Sequence, residues 1–168
     1  MIKTYKQYNE SVKDLLQPKS KDEMIKALEG LSDNKKIEYI IIKYQLDYDL
    51  LPRNNKGICT YYGNLNCSNN QLTSLPDNLT VEGYLYCYDN KLTNLPENLV
   101  VEGDLNCSFN RLKSLPDNLI VKGYLDCRYN QLKKLPENLV VKGDLYCHDN
   151  LLPKDTKKPK GVKGGLLF

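Results

Sequence analysis

The sequence predicts an α+β solenoid, in which a helical N-terminal block is followed by an array of stacked coils whose short strands form one parallel sheet. Three observations carry this. Cys67, Cys87, Cys107, Cys127 and Cys147 recur every 20 residues, in step with Gly63 to Gly143 and with Asn70 to Asn150. The copies align without drift as G-x-L-x-C-x-x-N-x-L-x-x-L-P-x-N-L-x-V-x, so each meets the same environment, as in a stacked array. Residues 1–50 lack the repeat and instead space Met24, Ile25, Ala27 and Leu28 at the helical period.

The N-terminal block, 1–50, reads as a cap. A short helix is expected over 10–17, ending at Pro18. Ser20-Lys21-Asp22-Glu23 is a capping-box pattern opening a second helix, which Gly30 stops. Another begins near Ser32 or Asp33 and carries Ile37, Ile40, Ile41, Tyr44 and Leu46. The first coil needs a cover on its apolar end, and an Ile-rich helical face supplies one.

Within the solenoid, 51–153, Tyr84-Leu85-Tyr86-Cys87-Tyr88 alternates at the period of a strand with one buried face, placing Leu and Cys inward. The Asn that follows is a donor and acceptor for the backbone of adjacent coils. Leu92 and Leu95 continue the core, Pro96 favours an extended convex side, and Gly103 permits a tight corner. Six apolar side chains per coil cannot offset the ordering of 20 residues unless coils stack. Leu51-Pro52 precedes Leu75-Pro76 by 24 residues, which implies a four-residue insertion around 55–58 and leaves Cys59 off the ladder. Residues 154–168 form a basic tail or C-terminal cap: Lys154 to Lys163 reads as loose, while Leu166, Leu167 and Phe168 are able to fold back.

Through its L-x-C-x-x-N-x-L segments, as in Leu85 to Leu92, the sequence resembles the leucine-rich repeat family over 58–153, in its short class found in bacterial effectors and viruses. That resemblance implies a parallel sheet on the concave side and an extended convex side. Val81 departs from it, standing four residues before Leu85 where the family has Leu three before. Effectors of this class carry ubiquitin-ligase domains, for which the residues after the repeats leave no room. The opening Thr4-Tyr5-Lys6-Gln7-Tyr8-Asn9-Glu10-Ser11, with Pro18-Lys19-Ser20, is similar to leaders of proteins of large bacteriophages.

Composition narrows function. The longest apolar run, Tyr39 to Ile42, is far short of a membrane span, and the first residues lack a secretory pattern. A cytoplasmic location is expected, in the host cell or the virion if the source is viral. Net charge is +3 overall, divided as −3 over 1–110 and +6 over 111–168. Nucleotide-binding, metal-cluster and nucleophile motifs are missing: the cysteines run parallel without a C-x-x-C pair, and alternation puts His148 opposite Cys147. No enzyme activity and no cofactor are expected, and neither a membrane nor a small-molecule substrate is a partner.

What varies from coil to coil is the outward side of the strands. The candidate partner-binding residues are Tyr84, Tyr86, Tyr88, Asp104, Asn106, Tyr124, Asp126, Arg128, Asp144, Tyr146 and His148. Tyr gives contact area at low entropic cost, and the others give directional bonds. The expected function is a protein-interaction module; the rivals are a structural component of a larger viral particle and a nucleic-acid-contacting accessory protein. Removing Tyr86 or Arg128 is expected to leave the core undisturbed.

Overall fold

The structure, a computed structural model, describes residues 26, 28–38 and 53–168. The chain divides into Met1–Ser32 and Asp33–Phe168. In the first unit Lys26 and Leu28 are helical. Gly30, at φ 79°, ends that turn, as a left-handed glycine past a helix does. The expected helix over 10–17, and Ile40, Ile41, Tyr44 and Leu46, lie outside the described residues.

The second unit is a parallel β-solenoid of about five coils. It opens with the helix α1, Asp33–Glu38. Each coil then contributes two short strands: β1 Cys59–Tyr61 and β2 Leu65–Asn66, β3 Leu79–Val81 and β4 Leu85–Tyr86, β5 Val100–Val101 and β6 Leu105–Asn106. β7 Ile120–Val121 and β8 Leu125–Asp126, then β9 Val140–Val141 and β10 Leu145–Tyr146, complete the regular coils. Leu166–Leu167 forms β11. The odd strands up to β9 make one parallel sheet of five, and the even strands with β11 make another of six.

The five-stranded sheet differs from the single sheet and extended far side that the sequence predicts. Leu79-Thr80-Val81 is a strand with buried Leu and Val and a half-buried Thr, so the displaced Val81 is the inward residue of a second strand. Two sheets joined at a sharp corner bury six rows per coil: Leu85, Cys87, Leu92, Leu95, Leu99 and Val101 are each at most 2% exposed.

The corner explains the glycines. Gly83, Gly103, Gly123 and Gly143 do not have positive φ. They are needed because neighbouring backbones meet there: Gly103 N donates to Gly83 O at 3.0 Å and Gly143 N to Gly123 O at 2.9 Å. A Cβ on Gly143 would sit 2.8 Å from Tyr124 N and 2.9 Å from Gly123 C.

The asparagine ladder forms as its chemistry requires. Asn110 Oδ1 accepts from Leu92 N at 3.0 Å, while its Nδ2 donates to the carbonyls of Cys87, Cys107 and Ser108. Asn90 and Asn130 repeat the arrangement. Among the described residues no buried side-chain polar atom is left unsatisfied, so the turn is closed in spite of its burial.

Two expectations about the ends are revised. Cys59 is fully buried and pairs in register with Leu79; it starts the row Cys59, Leu79, Leu99, Leu119, Leu139, because the irregular spacing lies before it, in the turn where Asn54 Oδ1 accepts from Lys56 N and Ile58 N. Nor are residues 154–163 loose, while 166–167 fold back on the last coil as the sequence allows. Leu166 and Leu167 pair with Leu145 and Tyr146, Val162 bridges Val141, and Gly164 N bonds Gly143 O at 3.1 Å. This closing turn follows its predecessor by 21 residues rather than 20. At the other end Ile37 of α1 is fully buried, and Tyr61 Oη donates to Glu38 Oε1 at 2.6 Å.

Candidate tyrosine-rich binding face

Outward side chains of the six-stranded sheet share one face because strand register fixes them, as in Leu85 opposite Leu105 and Tyr86 opposite Asn106. On that face Tyr84 and Tyr86 lie with ring centroids 6.0 Å apart. Tyr124 and Tyr146 meet edge to face, also at 6.0 Å. Arg128 stands over the Tyr146 ring at 5.8 Å, a cation–π contact. Tyr84 is 41% exposed, and Tyr86, Tyr88, Tyr124, Tyr146 and His148 are half-buried.

The polar candidates are engaged within the fold. Asp104 Oδ1 accepts from Tyr124 N at 2.9 Å, and Asp144 Oδ1 from Gly165 N at 2.7 Å. Asn106 Oδ1 accepts from both Ser108 N and Ser108 Oγ. Asp126 is only 4% exposed and takes two bonds from Arg128, Nε to Oδ1 at 2.8 Å and Nη2 to Oδ2 at 2.7 Å. Arg128 in turn reaches His148 Nε2 at 3.3 Å. Hydrogen bonding to Asp126 raises the Arg128 pKa above its ordinary value, against an opposing effect of burial. The Tyr124 phenol is pushed up first by burial and then by the Asp104 charge. The tyrosines are therefore the open part of the surface, and the acids act mostly as backbone acceptors.

This alters the expectation for Arg128. Truncating it would strand a buried carboxylate, which is destabilising, so Arg128→Ala is no neutral probe of binding; Tyr86 and Tyr146 are better ones.

Sequence reading missed one feature beside this face. Phe109 and Tyr129, 52% and 43% exposed, stack with centroids 4.3 Å apart and planes 14° from parallel. Tyr129 also meets His148 edge to face at 5.5 Å. Both residues occupy the position before the ladder asparagine, an unassigned position of the repeat. The signal lay in the other occupants, Asn69, Asp89 and Asp149, types that tolerate left-handed backbone.

Burial holds the ladder thiols in their neutral form. Burial pushes Cys67 up to about 12 and Cys147 to about 11, and raises Cys87, Cys107 and Cys127 well above normal. Cys107 Sγ and Cys127 Sγ donate to the next coil's Asp126 and Tyr146 carbonyls at 3.4 Å. None of the six cysteines is in a disulfide. Elsewhere, at the Leu-Pro corners, an open polar hollow of about 300 Å³ is walled by Asp77, Glu97, Asp117 and Lys134 among others. Among the described residues no group of His, Cys, Asp and Glu is placed to hold a metal ion, and no helix is long and apolar enough to cross a membrane.

No protein-family model matches the chain, and comparison with curated proteins finds no significant match.

Proposed function

We propose that this protein is a non-enzymatic interaction module that binds a protein partner on the tyrosine-rich outer side of the six-stranded sheet. The observation that carries the reading is the contrast between invariant inward rows and an outward face where Tyr84, Tyr86, Tyr124 and Tyr146 cluster in two ring pairs. Rigid aromatic anchors held by strand register lose little entropy on binding. The array is read as a leucine-rich repeat solenoid with this sheet on its concave side and the N-terminal helices as its cap. The asparagine ladder and the burial of Ile37 favour that reading, whereas the Leu-x-Val strands depart from an extended convex side.

The test is a pull-down from native host lysate with the parent and with Tyr86→Ala/Tyr146→Ala. We expect the variant to fold cooperatively, with a slightly lowered unfolding midpoint, and to lose its principal partner, each ring contributing about 2 kcal/mol at the centre of an interface. Full partner retention by the folded variant would refute the assignment of the face. Loss of nucleic acid alone, with steep salt dependence, would support the nucleic-acid rival instead.

A further inference from the structure

The Phe109–Tyr129 stack is unusual for two reasons. Both residues have a φ of 52°, where a bulky side chain is strained and Asn or Asp is at ease. Both also hold large aromatic rings in solvent. Neither choice serves the core, whose rows are complete without them.

The two ends of the stack differ. At the Tyr129 end the surface is closed from within: His148 packs edge-on against the ring, and its Nδ1 pairs with the Asp149 carboxylate. A planar nitrogen group thus lies between an aromatic ring and the carboxylate of the residue that follows it. At the Phe109 end the equivalent acid is present without such a group. Asp89 stands in the same row one coil earlier, since Asp89 N bonds Ser108 O and Phe109 N bonds Arg128 O, both at 3.1 Å. Because the stack runs along this row, Phe109 turns its second ring face towards the coil that carries Asp89. The Asp89 side chain is exposed, and its carboxylate has no partner among the described residues. Lys91 is turned to Gln71 Oε1 at 3.1 Å. Among the described residues the cation seated over a ring is Arg128, on Tyr146 and not here.

We propose that Phe109 and Asp89 form a slot for an arginine side chain of the bound protein, its guanidinium stacked on the free face of Phe109 and its N–H groups donating to Asp89. The group is planar, cationic and weakly hydrated, matching a ring face beside a lone carboxylate better than an ammonium does. A phosphate backbone is a poor fit, because Asp89 and Asp149 bracket the two rings in the row. The inference rests on the protein-binding reading and names one chemical feature of the partner.

Two substitutions test it without breaking the fold. Phe109→Asn installs the residue type that Asn69 supplies in the first coil, and Asp89→Asn keeps tolerance for the left-handed backbone while removing the charge. Both should preserve or raise the unfolding midpoint. The probes are a blocked glycine-serine peptide carrying two arginines, the same peptide with lysines, and a thymidine oligonucleotide, each titrated while the backbone amide signals of residues 88–90 and 108–110, present in the parent and in both variants, are followed by NMR. We expect the arginine peptide to bind about fivefold more tightly than the lysine peptide, and each substitution to weaken it about fivefold. The proposal is overturned by absence of arginine-peptide binding, by equal affinity for lysine, by undiminished binding to the variants, or by oligonucleotide binding that depends on Phe109. In the lysate pull-down, retention of all partners by these two variants alongside loss by Tyr86→Ala/Tyr146→Ala would sink the slot and leave the tyrosine face standing; retention by all the variants would sink both.

Discussion

The two sheets share their coils, their register and their buried rows, yet they treat solvent differently. Outward on the five-stranded sheet stand Thr60, Thr80, Val100, Ile120 and Val140, small or β-branched residues suited to a pleated strand and little else. Outward on the six-stranded sheet stand Asn66, Tyr86, Asn106, Asp126 and Tyr146, three backbone acceptors and two rings. One sheet is maintained and the other is diversified, although both rest on equally buried cores. The comparison separates what holds a coil from what a coil presents: the ladder of Asn, Gly, Leu and Cys holds it, and the variable row is free to differ.

That separation is open to direct attack. Its strongest test is Asn110→Ala, which removes the acceptor for Leu92 N and the donor to three carbonyls at a nearly inaccessible site. We expect a loss of about 3–4 kcal/mol in denaturant unfolding; a change below 1 kcal/mol would mean that the ladder does not carry the array. Next comes Gly143→Ala, whose new methyl meets only backbone atoms and should cost about 2–3 kcal/mol by overpacking. A smaller effect is expected from the thiols. Their pKa values are raised in the folded state, so stability is full below about pH 9 and falls as pH climbs towards 11 or 12, where only the unfolded chain has released its protons. A fully buried thiol such as Cys67 should contribute up to about 1.4 kcal/mol per pH unit across that window, read from unfolding midpoints against a cysteine-to-alanine control. Alkylation of native protein at neutral pH should label none of the six rapidly, Cys59 included, and fast labelling of a ladder cysteine would contradict its burial. A modest loss is expected from Tyr86→Ala/Tyr146→Ala, about 1–2 kcal/mol from the ring pairs and the Arg128 contact that it removes. A larger loss would show that the tyrosine rings support the sheet they decorate.

How far the sequence could be read follows from where the period is strict. The inward placement of Leu85 and Cys87 and the role of Asn90 were legible because every coil repeats them and their chemistry permits one solution. The second sheet was not: its strands are only two or three residues long, and Leu79-Thr80-Val81 read as an odd corner once a single sheet had been assumed. Cys59 stands off the cysteine ladder as expected, but counting from Leu51-Pro52 put it in the insertion instead of a strand, whereas the constant distance is the one from Cys59 to Leu79. The closing turn was hidden by its 21-residue spacing. In the candidate site, alternation located the tyrosines correctly, but Asp126 and Arg128 point the same way from one strand and neutralise each other, which a pattern of outward positions does not reveal. Phe109 and Tyr129 escaped notice because the left-handed backbone at their row is a property of the turn and not of the residue type.

The stacking of every coil on the last through a few backbone bonds also fixes how the molecule yields to force. Pulled apart at its two ends, the array transmits the same tension through every interface, but at the outermost coil that tension falls on its few bonds one after another, as in a zip, whereas inner coils share it across all of theirs. Coils should therefore peel singly, each freeing 20 residues, or about 70 Å of extended chain, and an extension trace should show evenly spaced steps where a globular domain of the same length would give one.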